Sequence, residues 1–403
     1  MDSLFNVIKL NYKEKNGVLV TEAHSQVKSK KCFPIYNIYN KKMIFKPLSK
    51  TKPLTTPLFA YSEVYWSYII NKYFDSTAPR YYLAISKDIE KENPKYYEKG
   101  VLVDCINPNG EKIINLYDYF IDNPEENIDI KEYVNYCMKN YDYTKILLSN
   151  FINKNKYIGE EIAYQILLSI LREDQNFHYE NINFIETENS LSVAPPIDFE
   201  FSTPFLYPDK EDKYEYEKNK YINLLKINYE EDEIEQIIKK LKLNSNLPLN
   251  NTIVNNICLI IKLYPNIVLK FIKNCETLLK DLPSINLDDP DNYIDKLNSD
   301  YWEVGHALFK ENSFDKYKEL KNNIKLVEID KTVILNRIKK DILEFSKYFN
   351  LILKIYLFSY KNGIEDLENL TIKKIIDKLN IDSNNKEKII DVDIDRNKIK
   401  LKK

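Results

Sequence analysis

A chain of 403 residues with 44% hydrophobic content has enough apolar surface for one large core or two moderate ones. Its 59 basic and 61 acidic side chains nearly cancel, which excludes a global field that would recruit nucleic acid or an anionic membrane and leaves any polyanion site to be local. No stretch reaches the roughly 18 to 20 apolar residues that span a bilayer, and the first residues lack a basic region followed by an apolar run. The expectation is a soluble, cytoplasmic protein with neither a membrane nor direct nucleic acid as partner.

Turn residues at Asn16, Gly17 and 37–40 separate short apolar runs at 18–20, 33–36 and 43–45, which predicts strands of a small antiparallel sheet. Between 56 and 73 the residues Leu58, Phe59, Tyr61, Val64, Tyr65, Tyr68, Ile69 and Tyr73 recur at helical spacing, and Glu63 falls inside that run. Two more strands are predicted at 80–86 and 100–104. Beyond Ile114 the pattern turns helical, at 143–151 and then at 159–172. Further helices are predicted at 221–227, 232–241, 252–277, 301–310, 314–323 and 331–360, the last containing the apolar run 349–360, read as a buried helix. A polar turn at 186–190 between the runs 182–185 and 191–194 predicts a hairpin. The charged tail 383–403 has few apolar anchors and reads as a frayed end or a lone edge element.

Five cysteines (Cys32, Cys105, Cys137, Cys258, Cys275) show no Cys-x-x-Cys spacing, so neither a zinc knuckle nor a disulfide framework is supported. With three histidines in the chain, a His-based metal centre is disfavoured and His178 stands out by its place in a polar stretch.

That stretch, 172–185, together with 192–199, carries the densest set of chemically capable groups. Phosphoryl transfer needs cations against the phosphates, oxygen ligands for a metal, and a carboxylate near the attacking hydroxyl. Asn181 and Asp198 offer oxygen ligands suited to magnesium, and the predicted hairpin between them draws their ends of the chain together. Lys46, at the end of the strand 43–45, and Glu63 on the next helix match the strand lysine and helix glutamate that place a cation at a nucleotide's phosphates. Residues 23–28, with Lys28, offer backbone amides and a cation to a phosphate, without any glycine.

The order Gln26–Lys28, Lys46–Pro47, Glu63 on a helix, Asp104 after a strand, His178-x-x-Asn181 and Asp198 resembles the HipA-like serine/threonine kinase family over roughly residues 15–205. The resemblance implies an α+β, two-lobed protein-kinase-like fold: a small antiparallel-sheet N-lobe over 1–103 and a large mainly helical C-lobe over 104–382, with a charged tail after it. It implies ATP and Mg as cofactors, with transfer of the γ-phosphoryl group to a protein serine or threonine. By the same resemblance Lys46 contacts the nucleotide phosphates, Gln26 and Lys28 belong to the phosphate loop, Asp104 lies at the adenine-binding hinge, Asn181 and Asp198 bind magnesium, and His178 braces the loop. An inhibitor or antitoxin is the implied regulatory partner, although the chain resembles a minimal form without the small domain that precedes the phosphate loop in many members and docks a DNA-binding antitoxin.

The sequence departs from the family at Asn176, which occupies the position of the catalytic aspartate. An amide does not accept a hydroxyl proton at neutral pH, and losing a positioned base costs about 10²- to 10⁴-fold in rate. Three readings are open: an inactivating Asp-to-Asn change introduced into the chain, a base role taken over by Asp174, or a pseudokinase that binds nucleotide without turnover. The intact nucleotide and metal residues favour the first.

Overall fold

The computed structural model describes residues 3–10, 15–21, 32–38, 40–49, 57–86, 96–106, 111–116, 119, 145, 147–149, 151–152, 155–172, 174, 181–187, 190–199, 202, 252–288, 291, 293, 297–298, 328–329, 331–367, 389–393 and 398–402. The chain divides into two compact units: Met1–Asp122, Asp174–Lys210 and Pro283–Lys340 form the first, and Asn123–Glu173, Glu211–Leu282 and Asp341–Lys403 form the second.

The first unit is built on a six-stranded sheet of β1 (Val7–Leu10), β2 (Lys15–Thr21), β3 (Cys32–Ile38), β4 (Lys41–Ser49), β5 (Tyr81–Ser86) and β6 (Tyr96–Asp104), in the order β1-β5-β6-β4-β3-β2. The runs that predicted strands at 18–20, 33–36, 43–45, 80–86 and 100–104 all lie in it. The sheet is not purely antiparallel, because β1 pairs with β5 in parallel. That strand escaped the sequence reading because its partner is remote and no turn joins the two. One face carries a cluster of Leu10, Tyr36, Ile38, Met43, Phe45, Ala84 and Leu102. Strand alternation and register put Lys46 on the opposite face, in line with Val101 and Leu83 across β6 and β5.

Helix α1 (Pro57–Tyr73) is buried at every position from 59 to 67. With no solvated face, its polar side chains need partners inside the protein. Ser67 Oγ donates to Pro79 O at 2.7 Å and accepts from Tyr81 N at 3.3 Å. Asn71 Nδ2 donates to Ala78 O at 2.8 Å. These bonds tie the C-terminal half of α1 to the start of β5. Nearer its N-terminus, the Tyr61 ring meets Phe5 edge-on at 4.2 Å and Tyr293 at 5.9 Å. The Tyr293 hydroxyl in turn donates to Gly100 O, and the Tyr293 backbone carbonyl accepts from Lys99 Nζ, both at 2.8 Å.

The same unit holds a three-stranded antiparallel sheet of β7 (Lys112–Asn115), β8 (Asn183–Thr187) and β9 (Ser190–Val193), in the order β7-β8-β9. The predicted hairpin is β8–β9. A third strand not singled out from the sequence extends it: Ile113 and Ile114 of β7 pair with Ile185 and Phe184. A two-residue pairing of β10 (Leu297–Asn298) with β11 (Glu328–Ile329) completes the strands described in this unit.

In the second unit, α2 (Lys156–Leu171) is capped by Asn155, whose side chain accepts from Ile158 N. The predicted single helix at 252–277 is two, α3 (Thr252–Leu263) and α4 (Pro265–Asp281), turned by 114° across Tyr264. Proline cannot continue α3 but fits the first turn of α4, so Pro265 divides an apolar run that periodicity alone reads as continuous. Helix α5 (Lys331–Lys361) contains the run 349–360, which is mostly buried as expected. Its Phe349 ring meets Phe271 of α4 at 5.9 Å, and Lys354 pairs with Glu276. The charged tail is neither frayed nor a lone edge: β12 (Ile389–Asp393) and β13 (Lys398–Lys402) pair as an antiparallel hairpin. Described residues between 145 and 152 are helical, while the helices expected at 221–227, 232–241, 301–310 and 314–323 lie outside the described residues. Among the described residues no single helix is long and apolar enough to cross a membrane.

Candidate functional site

Three residues remote in sequence meet in the first unit. Lys46 Nζ lies 2.8 Å from Glu63 Oε1 and 3.0 Å from Asp198 Oδ1. The Glu63 side chain is 2% exposed, against 22% for Lys46 and 30% for Asp198. The charge is therefore graded from a closed end at Glu63 to an open end at Asp198. One lysine against two carboxylates leaves excess negative charge, and it sits at the end solvent reaches. A hard cation or a group carrying one suits that end.

Each member is set by its element. Lys46 sits in β4 where β6 comes closest: the Gly100 that faces Pro47 in register has no room for a Cβ, which would overlap Lys46 O and lie 2.8 Å from Pro47 Cα. Glu63 belongs to the fully buried stretch of α1 and uses both oxygens, Oε1 for Lys46 and Oε2 to accept from Phe199 N at 3.0 Å. Its neighbour Ser62 donates to Phe199 O at 2.6 Å. Helix α1 thus holds both polar groups of one residue's backbone, directly after Asp198.

Asp198 adopts φ of 60°, the left-handed region that aspartate tolerates better than most residues. Its N–H points at the Tyr81 hydroxyl, 3.5 Å away. Tyr81 is buried and its ring meets Phe199 at 5.6 Å. Burial first, then the Glu63 carboxylate and, less strongly, that of Asp198, push the Tyr81 hydroxyl well above its ordinary value, so it stays neutral beside the trio.

Asn181 is buried just before β8, and the bonds Leu116 N to Ile182 O and Ala194 N to Asn183 O fasten the open end of the β8–β9 hairpin. Asn181 and Asp198 both leave from that end. Such a pair of side-chain oxygens, completed by phosphate and water, is the donor set magnesium prefers. Among the described residues there is no group of three or more His, Cys, Asp or Glu that could hold a metal ion.

Asp104 closes β6, with its N–H donating to Arg80 O at 3.0 Å. Its register partner is Met43, which puts its side chain on the sheet face opposite Lys46. Asp174 is buried. Gln26, Lys28, Asn176 and His178 lie outside the described residues.

Two contributors were not singled out from the sequence, Ser62 and Tyr81. A signal for Ser62 exists in retrospect: a serine beside a glutamate inside a run that is apolar all round must be buried and bonded. Tyr81 has none, since aromatics are ordinary in strands.

No protein-family model matches this sequence, and no curated protein matches it. Among solved structures, the chain is similar to the crystal structure of a Helicobacter pylori proinflammatory kinase, CtkA, with 11% identity and a TM-score of 0.40, over 80% of this chain and 100% of that one. A likeness this loose transfers no residue role, so the case for function rests on the trio itself.

Proposed function

We propose that the chain is an ATP- and magnesium-dependent phosphotransferase of the HipA-like serine/threonine kinase type, acting on a protein hydroxyl, with Asn176 at the base position disabling transfer in this sequence. The observation that carries the reading is Lys46 Nζ held between Glu63 Oε1 at 2.8 Å and Asp198 Oδ1 at 3.0 Å. A buried glutamate that fixes a strand lysine leaves the ammonium aimed and charged, ready for a nucleotide's phosphates. An aspartate on the open side of the same lysine supplies an oxygen to the metal that travels with those phosphates. Asn181 would complete the metal's protein ligands, and Gln26 and Lys28 would cover the phosphates.

The Asn176 amide favours a second reading, a pseudokinase that binds nucleotide and regulates a partner without turnover. One set of measurements separates the two. The chain should be stabilised by ATP with magnesium, and Lys46→Ala should abolish that stabilisation. Asn176→Asp, incubated with radiolabelled ATP and magnesium, should then raise phosphate incorporation into serine or threonine by about 10²- to 10⁴-fold. Stabilisation with no gain of incorporation selects the pseudokinase. If ATP binds Lys46→Ala as well as wild type, or binds neither, both readings fail.

A further inference from the structure

We infer that Ser62 and Tyr81 are positioning residues for Asp198, and that their hydroxyls set how tightly the site takes its divalent cation. The inference rests on the nucleotide-site reading above and assigns to it two groups outside the Lys46, Glu63 and Asp198 trio.

The argument starts from the backbone. Asp198 is one of the few described non-glycine residues with positive φ, at 60°, a conformation that persists where surrounding bonds over-determine it. Three side chains supply those bonds. The Tyr81 hydroxyl accepts from Asp198 N at 3.5 Å, on the near side of the strained torsion. Glu63 Oε2 accepts from Phe199 N at 3.0 Å, on its far side. Ser62 Oγ donates to Phe199 O at 2.6 Å and reaches Ser202 O at 3.5 Å, while Ser202 N closes a turn onto Phe199 O at 3.3 Å. Ser62 is fully buried, so its bond to Phe199 O is not diluted by water.

These contacts have different duties. Glu63 is shared with Lys46, so removing it disturbs the phosphate cation as well. Within this site the hydroxyls of Ser62 and Tyr81 hydrogen-bond to the backbone of Asp198, Phe199 and Ser202, and the Tyr81 ring meets Phe199. Neither hydrogen-bonds to Lys46, although the Glu63 carboxylate acts on the Tyr81 hydroxyl through space. Losing either hydroxyl leaves the Lys46–Glu63 pair in place and releases the carboxylate of Asp198 from its fixed direction. Magnesium is demanding about ligand geometry, so a looser Asp198 weakens the cation before it weakens the nucleotide.

The test uses the full chain as wild type, Ser62→Ala and Tyr81→Phe, each verified as folded by circular dichroism. Binding of a non-hydrolysable ATP analogue is measured in excess EDTA and across a magnesium titration. Hydrogen exchange of peptides covering 198–202 is followed without ligand. Ser62→Ala is expected to raise the half-saturating magnesium concentration about tenfold, the scale of one buried hydrogen bond. Tyr81→Phe should raise it about threefold, since its contact is at the limit of hydrogen-bond length. Affinity in EDTA should stay within twofold, and exchange at 198–202 should quicken in both variants. An unchanged magnesium requirement, an equal loss with and without magnesium, or unchanged exchange overturns the inference while leaving the nucleotide reading in place. A wild-type chain that binds no analogue under either condition overturns the nucleotide reading, and this inference with it.

Discussion

Lys46 with Glu63 and Lys112 with Glu186 are ion pairs of the same length, 2.8 Å, both in the first unit. They differ in everything else. Lys112 and Glu186 face each other across β7 and β8 with side chains 64% and 43% exposed. Lys46 and Glu63 come from a strand and a buried helix, and each holds a further partner, Asp198 Oδ1 and Phe199 N. The exposed pair is a local consequence of register, screened by water and salt. The buried pair is the hub through which β4, α1 and the 198–199 segment are fixed to one another. Separation alone does not rank ion pairs; burial and the further groups each partner holds do.

The sharpest way to break the buried side of this comparison is Glu63→Ala. It leaves Lys46 with one of its two carboxylates and removes the acceptor of Phe199 N. Removing one partner of a buried charged pair costs about 3 kcal/mol, and the result should appear as a lower urea midpoint with an unchanged denaturant slope. A loss no larger than that from an exposed pair would mean that the Glu63 carboxylate adds little to what apolar packing and the Ser62, Ser67 and Asn71 bonds already supply to α1.

Gly100→Ala probes the same hub from the sheet. A Cβ at Gly100 would press on Lys46 O, on Pro47 Cα at 2.8 Å and on Phe45 Cζ at 2.9 Å. Two of those neighbours are backbone, so β4 and β6 must separate around Lys46. A cost of about 2 kcal/mol is expected, with a weakened response to ATP and magnesium because the lysine shifts. Stability loss without any change in nucleotide response would uncouple strand spacing from the site.

The contrast also explains what the sequence reveals. Lys46 and Glu63 lie in elements with local signatures, a period-two strand and a period-3.6 helix, and Asp198 follows a predicted hairpin. It is their order along the chain that points to a site, and not any one of them alone. Their meeting is a matter of tertiary packing, which no local period encodes. The missed features follow the same rule. Strand β1 pairs with a remote partner, β7 joins a hairpin from far upstream, and Ser62 and Tyr81 act on backbone that is distant in the chain. Pro265 is the opposite case. The residue that splits 252–277 into two helices is visible in the sequence, but a strong apolar period masks it until the 114° turn is seen.

A smaller effect distinguishes the buried hub by pH. The tyrosines Tyr65, Tyr81 and Tyr356 are held well above their ordinary value of 10.0, each chiefly by burial. The folded chain keeps protons that the unfolded chain releases, so this contribution is complete below pH 10 and is lost as pH rises beyond it. Thermal stability should fall steadily from about pH 10 upward, and Tyr81→Phe should make that fall shallower than in wild type. An identical slope in the variant would mean that Tyr81 ionises as freely in the folded chain as in the unfolded one.

The smallest effect expected is at the exposed pair, and it is the control that gives the others meaning. Lys112→Ala removes a 2.8 Å contact between groups that are both largely in water. Hydration replaces most of what is lost, so the change should stay below about 0.5 kcal/mol and shrink further in high salt. Stability measured by urea at low and high sodium chloride checks this directly, alongside Glu63→Ala in the same buffers. The expected pattern is a small, salt-sensitive loss at Lys112 beside a large, less salt-sensitive loss at Glu63, because screening ions reach both partners of the first pair while the Glu63 carboxylate of the second is almost closed to water. If both losses proved equally sensitive to salt, the Lys46–Glu63 pair would be as well hydrated as its counterpart, and it would not serve as the fixed end of a phosphate site.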